Sequence, residues 1–158
     1  MKSLPRERKD GELPQIQGQF SQMTPRRTAF GHEHTYAVIG AFYDVYNRFG
    51  FGLLESVYAA ALVQEIEGRG LFVDRELWVD VFYKGQRIGK QRIDIVVNHS
   101  LIVEVKATEF LPPFSRRQVL TYLRATELEL ALILHFGPRP RAYRLIDTEK
   151  DRTQISAG

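Results

Sequence analysis

Residues 92–107 read RIDIVVNHSLIVEVKA. Two apolar runs, IDIVV and LIVEV, flank the polar triplet Asn98-His99-Ser100, which has the composition of a turn. This stretch decides the fold class, because it sets two neighbouring strands in a chain whose flanks are helical. It also raises a chemical question, since Asp94, Glu104 and Lys106 stand inside the most strand-like part of the sequence. Side chains two apart on a strand share a face. Glu104 and Lys106 therefore point one way with Ile102, and Val103 and Val105 point the other. A three-residue loop centred on His99 pairs Val97 with Leu101 and sets Asp94 opposite Glu104. A two-residue turn would send Asp94 to the other face. Charge in an apolar strand is costly unless it is paired or holds a cation. A cross-strand salt bridge on a solvated face is the competing explanation.

Upstream, apolar residues recur at spacings of three and four. Val38, Ile39, Phe42, Val45, Tyr46 and Phe49 predict a helix over 35–49. Leu54, Val57, Tyr58, Ala61, Leu62 and Ile66 predict a second over 53–68, with the GFG of 50–52 as the turn between them. The period then changes to two. Leu77, Val79, Val81 and Tyr83 mark a first strand, with later strands expected at 88–97 and 101–107. After the Leu-Pro-Pro of 111–113 a third helix is expected at 115–126. LELALILHF at 128–136 and RAYRLI at 141–146 supply the last two strands. The order α-α-β-β-β-α-β-β suits one α/β sandwich over 31–146. Residues 1–30, with Pro5, Pro14 and Pro25, read as a flexible extension, and 147–158 as a tail.

The 158 residues suffice for one domain with a real core. No apolar stretch is long enough to cross a membrane, and the opening residues lack the apolar core of a secretory signal. The expectation is a cytoplasmic protein without a membrane partner. There is no cysteine, so disulfides and thiolate metal ligands are excluded. The formal charge of +3 is only a weak pointer to polyanions.

Two carboxylates set close together repel when both are ionised, and a divalent cation relieves that repulsion. Mg²⁺ or Mn²⁺ suits oxygen ligands. Mg²⁺ is commonly held by one or two carboxylates with substrate phosphate. Asp94 and Glu104 are the candidate ligands, and the Val105 carbonyl is a third. Lys106 could orient a water or neutralise charge at an attacked phosphate, which is sensible chemistry for phosphodiester hydrolysis. A further acid could come from the second helix. Glu55 lies at the edge of its inward face near the start, and Glu65 lies nearer the centre of the apolar arc. In the third helix Gln118 and Tyr122 are four apart and face one way. Arg87, Lys90, Arg92, Arg116, Arg117 and Arg124 could contact phosphates by charge, or form an ordinary solvated surface. His32, His34, His99 and His135 have no tight metal-ligand spacing and read as structural or surface residues.

GLLESVY at 52–58 matches a GxxExxY pattern through Gly52, Glu55 and Tyr58. With RIDIVV, LIVEVKA, QVLTYLRAT and LILHFG in order, the chain from about Tyr36 to Ile146 resembles the bacterial GxxExxY protein family, placed within the PD-(D/E)xK nuclease superfamily. The resemblance implies a restriction-endonuclease-like mixed-sheet sandwich with flanking helices. It implies that Asp94, Glu104 and Lys106 form the core triad, that Glu55 is the helical acid, and that Gln118 and Tyr122 form a Q-x-x-x-Y element. Relatives often carry His where Tyr46 and Ser115 stand here. The expected function is a divalent-metal-dependent nuclease acting on nucleic acid. The alternatives are a nucleic-acid-binding or assembly protein that keeps the nuclease fold without efficient turnover, or an interaction domain whose charges are surface ion pairs.

Overall fold

A computed structural model describes residues 31–126 and 128–147. The extension expected over 1–30, and the tail from residue 148 on, lie outside the described residues. The elements run α1 (Gly31–Phe49), α2 (Glu55–Gly68), β1 (Val73–Tyr83), β2 (Gln86–Val97), β3 (Leu101–Lys106), α3 (Ser115–Ala125), β4 (Leu130–Phe136) and β5 (Pro140–Ile146). Type and order agree with the sequence reading. The boundaries differ by a few residues, and α1 is already helical at Gly31, the first described residue, ahead of the expected 35. Asp147 is buried, and its N–H donates to the Glu129 carbonyl (3.0 Å).

The five strands form one mixed sheet in the order β1-β2-β3-β4-β5. Only β3 and β4 pair in parallel, because α3 carries the chain back between them; the other neighbours are antiparallel. The mixed α/β sandwich expected from the sequence is the observed fold. One face of the sheet packs on α1 and α2 through Val103, Val105, Leu132, Leu134 and Phe136. The other packs on α3 through Ile102, Ala131 and Ile133 against Val119, Tyr122 and Leu123. With both faces covered, β3 and β4 read as nearly unbroken apolar runs.

The turn between β2 and β3 sets the register. Asn98 and His99 both have positive φ, at 48° and 54°. Asn tolerates that region better than most residues. Here it is also fastened at both ends, with its N–H donating to the Phe72 carbonyl and its Oδ1 accepting from the Phe72 N–H, each at 2.8 Å. The three-residue loop gives Val97↔Leu101, Val96↔Ile102 and Ile95↔Val103. The same count carried one step further brings Asp94 across from Glu104.

The strand changes character there. Ile95 and Val97 face α1 and α2, whereas Val96 and Ile93 face the α3 side. Ile93 and Ile95 are two apart yet lie on opposite faces, so β2 rolls over at Asp94. On β1 the pairs Arg75↔Ile95 and Leu77↔Ile93 bracket Glu76, whose φ is 55°. An irregularity of this kind re-aims a side chain and interrupts a ladder.

Candidate active site

The roll at Asp94 releases one backbone group on β3. Alternation along the strand turns the Val105 N–H towards β2, but the β2–β3 pairing ends at Ile95↔Val103. The Asp94 carboxylate takes the strand's place, with Oδ2 accepting from the Val105 N–H at 3.1 Å. The Val105 carbonyl lies on the same edge of β3 as its N–H. The other oxygen of Asp94 is 3.8 Å from the Arg92 guanidinium, which also reaches Glu76 at 3.5 Å.

Glu104 is 3% exposed. One oxygen is 3.2 Å from Lys106 Nζ, and the other, Oε2, is buried with no hydrogen-bond partner among the described residues. Burial, then the negative charge of Asp94, push the Glu104 carboxyl up to about 8, against the opposing pull of Lys106. Lys106 Nζ donates to Gln118 Oε1 (3.2 Å), Gln118 Nε2 donates to the Tyr122 hydroxyl (2.9 Å), and that hydroxyl donates to the Arg92 carbonyl (2.9 Å). The i,i+4 pair on α3 thus links the ammonium on β3 to the backbone of β2. Burial and the charge of Glu104 hold the Tyr122 hydroxyl well above the usual phenol range, so it remains a donor at all ordinary pH.

Glu55 arrives from the opposite layer. It is the first residue of α2, half-buried, and it accepts a backbone hydrogen bond from Ala107 just past the end of β3. Burial raises its pKa, Lys106 opposes the rise and Asp94 adds to it, so all three groups share one electrostatic environment. The local fold explains how Glu55 gets there. Gly50 and Gly52 take φ of 65° and 120°, conformations that favour glycine. Tyr58 donates to the Gly50 carbonyl, accepts from the Leu53 N–H (3.2 Å) and stacks on Phe136 at 4.2 Å. Gly52 and Tyr58 therefore shape and clamp the loop that delivers Glu55. Sequence analysis placed Tyr58 on an apolar face and in the GxxExxY pattern, without a role for its hydroxyl; the two glycines ahead of it were the signal of a loop in need of an anchor. Glu65, placed by the helical wheel near the apolar arc, is exposed instead. The wheel misleads because Leu54 and Val57, counted in the apolar arc, are exposed, while Ala59 and Val63 on the other side of Tyr58, Leu62 and Ile66 are buried and turn the stripe away from Glu65.

The remaining charged candidates divide. Arg87 pairs with Asp80 at 2.7 Å, and Lys90 covers Trp78 at 4.3 Å, so both are engaged on the β1–β2 hairpin. Arg116 and Arg117 are exposed at the start of α3, with the Arg116 guanidinium over the Tyr143 ring at 5.0 Å. His99 is a turn residue, 3.3 Å from Asp74. His135 is buried and contacts the Thr108 carbonyl through Nε2 at 2.7 Å. The side chain of His32 lies outside the described residues. Tyr46 donates to the carbonyls of Gly137 (2.8 Å) and Pro138 (3.0 Å), a structural use of its hydroxyl.

Among the described residues no three acid or imidazole side chains form a ready-made metal cage. The donor set is nevertheless hard oxygen throughout, with an unpartnered carboxylate oxygen on Glu104 beside Asp94. Such an open arrangement suits an ion that keeps waters and takes substrate oxygens. A family model described as the PD-(D/E)XK nuclease superfamily matches residues 32–145, more than two thirds of the chain. No curated protein and no solved structure matches.

Proposed function

The chain belongs to the PD-(D/E)XK nuclease superfamily, and from that premise we propose that it is a divalent-cation-dependent nuclease that hydrolyses phosphodiester bonds in nucleic acid. Within the superfamily, Gly52, Glu55 and Tyr58 support placing it with the GxxExxY proteins. The observation that carries the reading is the buried, unpartnered Glu104 Oε2 beside Asp94, with Lys106 held against the same acid. Buried polar atoms usually find a partner, so an open carboxylate oxygen next to a second acid supports a site for a ligand.

Asp94, Glu104 and the Val105 carbonyl would hold Mg²⁺ or Mn²⁺, with Glu55 completing the acidic wall. When bound, the ion supplies Lewis-acid charge at the scissile phosphate. The protein's own groups do the rest. Lys106 presents a positive charge beside that position, where it offsets negative charge growing on the attacked phosphoryl oxygens. Gln118 keeps the ammonium aimed, and Tyr122 keeps Gln118 aimed by anchoring it to the Arg92 carbonyl. Asp94 fixes the edge of β3 through the Val105 N–H, which also positions the Val105 carbonyl. Among the described residues no helix is long and apolar enough to cross a membrane.

The test is an assay of purified protein on single-stranded and duplex DNA and RNA, with Mg²⁺, Mn²⁺ or chelator. Cleavage that needs the cation and disappears in Glu104→Gln is the expected result. Cleavage that survives chelation, or persists in Glu104→Gln, would overturn the assignment. Binding without cleavage of any form would favour the non-catalytic binding protein.

A further inference from the structure

The carboxyl end of β3 is a meeting point. The last turn of α1 reaches it through Tyr46 and the Gly137 carbonyl, and the first residue of α2 through Glu55 and Ala107. The segment 107–114 leaves β3 there and leads into α3. His135 fastens that segment at Thr108, and a Cβ on Gly137 would meet the His135 ring at 2.7 Å, so the junction is tightly fitted.

Two features of this rim run against ordinary helix chemistry. Helix N-caps favour Ser, Thr, Asp or Asn, whose side chains bond the free N–H groups. The N-caps of α2 and α3 are instead Leu54 and Phe114, neither makes a side-chain cap bond, and they are 73% and 72% exposed. Phe110 is 78% exposed on the loop from β3 to α3, and Phe51 is 45% exposed on the loop that leads into α2. Exposed apolar side chains on loops that flank the same end of the sheet are candidates for a contact surface. The second feature is charge. The first turn of a helix disfavours cations, yet α3 has Arg116 and Arg117 there and no acid. Arg48 ends α1, and Arg139 and Arg141 lie in and after the turn that follows β4.

Exposed apolar side chains and arginines on the loops and helix ends that flank the carboxyl end of β3 match one ligand chemistry. A single-stranded polynucleotide offers bare base faces to stack on aromatic rings and phosphates to meet guanidinium groups. In a duplex the base faces are already covered, so phenylalanines at the rim would gain nothing. Resting on the nuclease reading above, we propose that the substrate is single-stranded nucleic acid. Its bases stack on Phe110 and Phe114, with Phe51 and Leu54 on the opposite lip, while Arg116 and Arg117 track its backbone past Asp94 and Glu104.

The experiment is fluorescence anisotropy in chelator, with labelled twenty-nucleotide thymidine and uridine strands and a duplex of equal length. Wild type binds the single strands at least about tenfold more tightly than the duplex. Phe110→Ala and Phe114→Ala each weaken single-strand binding by roughly tenfold, as expected for one stacked base. They leave the duplex and the salt slope unchanged. Arg116→Ala and Arg117→Ala instead flatten the salt slope. The phenylalanines are exposed, so circular dichroism melting of these variants should match wild type, and the double variant read the same way guards against one ring covering for the other. Equal affinity for strand and duplex overturns the proposal, as does unchanged single-strand binding in the double variant. If that double variant instead loses sedimentation with anionic vesicles while nucleic-acid binding is unmoved, the rim is a lipid surface and the proposal fails. Cleavage is scored separately with Mg²⁺. Single-strand binding that needs the phenylalanines but comes with no turnover leaves the single-strand surface standing and sinks the nuclease reading. Equal cleavage of strand and duplex with no effect of the phenylalanines does the reverse.

Discussion

Val103 and Glu104 are neighbours on β3 and face opposite layers. Val103 is fully buried against the side of α1 and α2, where Val105 continues the apolar packing as far as the strand's last turn towards the site. On the α3 side the sequence goes Ile102, Glu104, Lys106, from apolar to charged within three positions of one face. One layer is closed along the length of the strand; the other opens at its carboxyl end into a linked set of polar groups. The lesson is that the same strand supplies rigidity through one face and chemistry through the other. The acids can be buried because the opposite face already holds the backbone still.

The sharpest way to break this comparison is to change one residue in each layer. Glu104→Gln should lower Mg²⁺-dependent cleavage by about 1000-fold or more, since it removes a charge that would hold the ion. It should also stabilise the cation-free protein. The Glu104 carboxyl is raised from 4.5 to about 8, so the folded state holds that proton more tightly than the unfolded chain. Its contribution therefore makes stability fall as pH rises from about 4.5 to about 8, and Glu104→Gln removes that slope. At pH 8 a rise in Tm of roughly 4 °C or more is expected from thermal melts in chelator. Leu132→Ala, fully buried in the layer under α1 and α2, should do the opposite. It should cost about 2–5 kcal/mol in denaturant melts and leave cleavage per folded molecule near wild type. A destabilising Glu104→Gln, or a Leu132→Ala that abolishes cleavage while folded, would show that the layers do not divide the work.

Lys106→Met keeps most of the apolar length and removes the charge. Single-turnover cleavage should fall by roughly 100-fold with the fold intact. A folded variant with wild-type rates would remove Lys106 from the reaction. The smallest of these effects is expected for Tyr122→Phe, which deletes the hydroxyl between Gln118 and the Arg92 carbonyl. A stability loss of about 1 kcal/mol and a roughly tenfold slower single turnover should appear together, the usual scale for one hydrogen bond. Unchanged kcat with the same stability loss would make the tyrosine a packing residue only.

Much of this was legible in the sequence for identifiable reasons. The Asn98-His99-Ser100 triplet allows a three-residue loop, and given that loop the line from Asp94 to Glu104 could be counted; the two-residue turn that would break it was not excluded by the sequence. The strand parity of Glu104 and Lys106, and the helical spacing of Gln118 and Tyr122, are equally local. The roll of β2 at Asp94 was not legible, because it depends on the backbone of Glu76 on another strand. Nor was the choice between Glu55 and Glu65 legible from the helical wheel. The buried stripe of α2 is set by what Tyr58 and Ile66 meet across the core, and only the family resemblance pointed to Glu55. The direction of the Lys106–Gln118–Tyr122–Arg92 series is a tertiary fact, since its ends lie on strands that the sequence separates by fourteen residues.

The central claim is that Asp94 and Glu104 together hold a divalent cation at the open end of the α3 layer. Isothermal calorimetry of Mn²⁺ into wild type, Asp94→Asn and Glu104→Gln at pH 7, each in two buffers of different ionisation heat, tests it directly. Wild type should bind weakly at one site and release close to one proton, because Glu104 is protonated below about 8 before the ion arrives. Both variants should bind at least about tenfold more weakly, and Glu104→Gln should release no proton. Equal affinity in all three proteins, or binding with no proton release from wild type, would contradict the account.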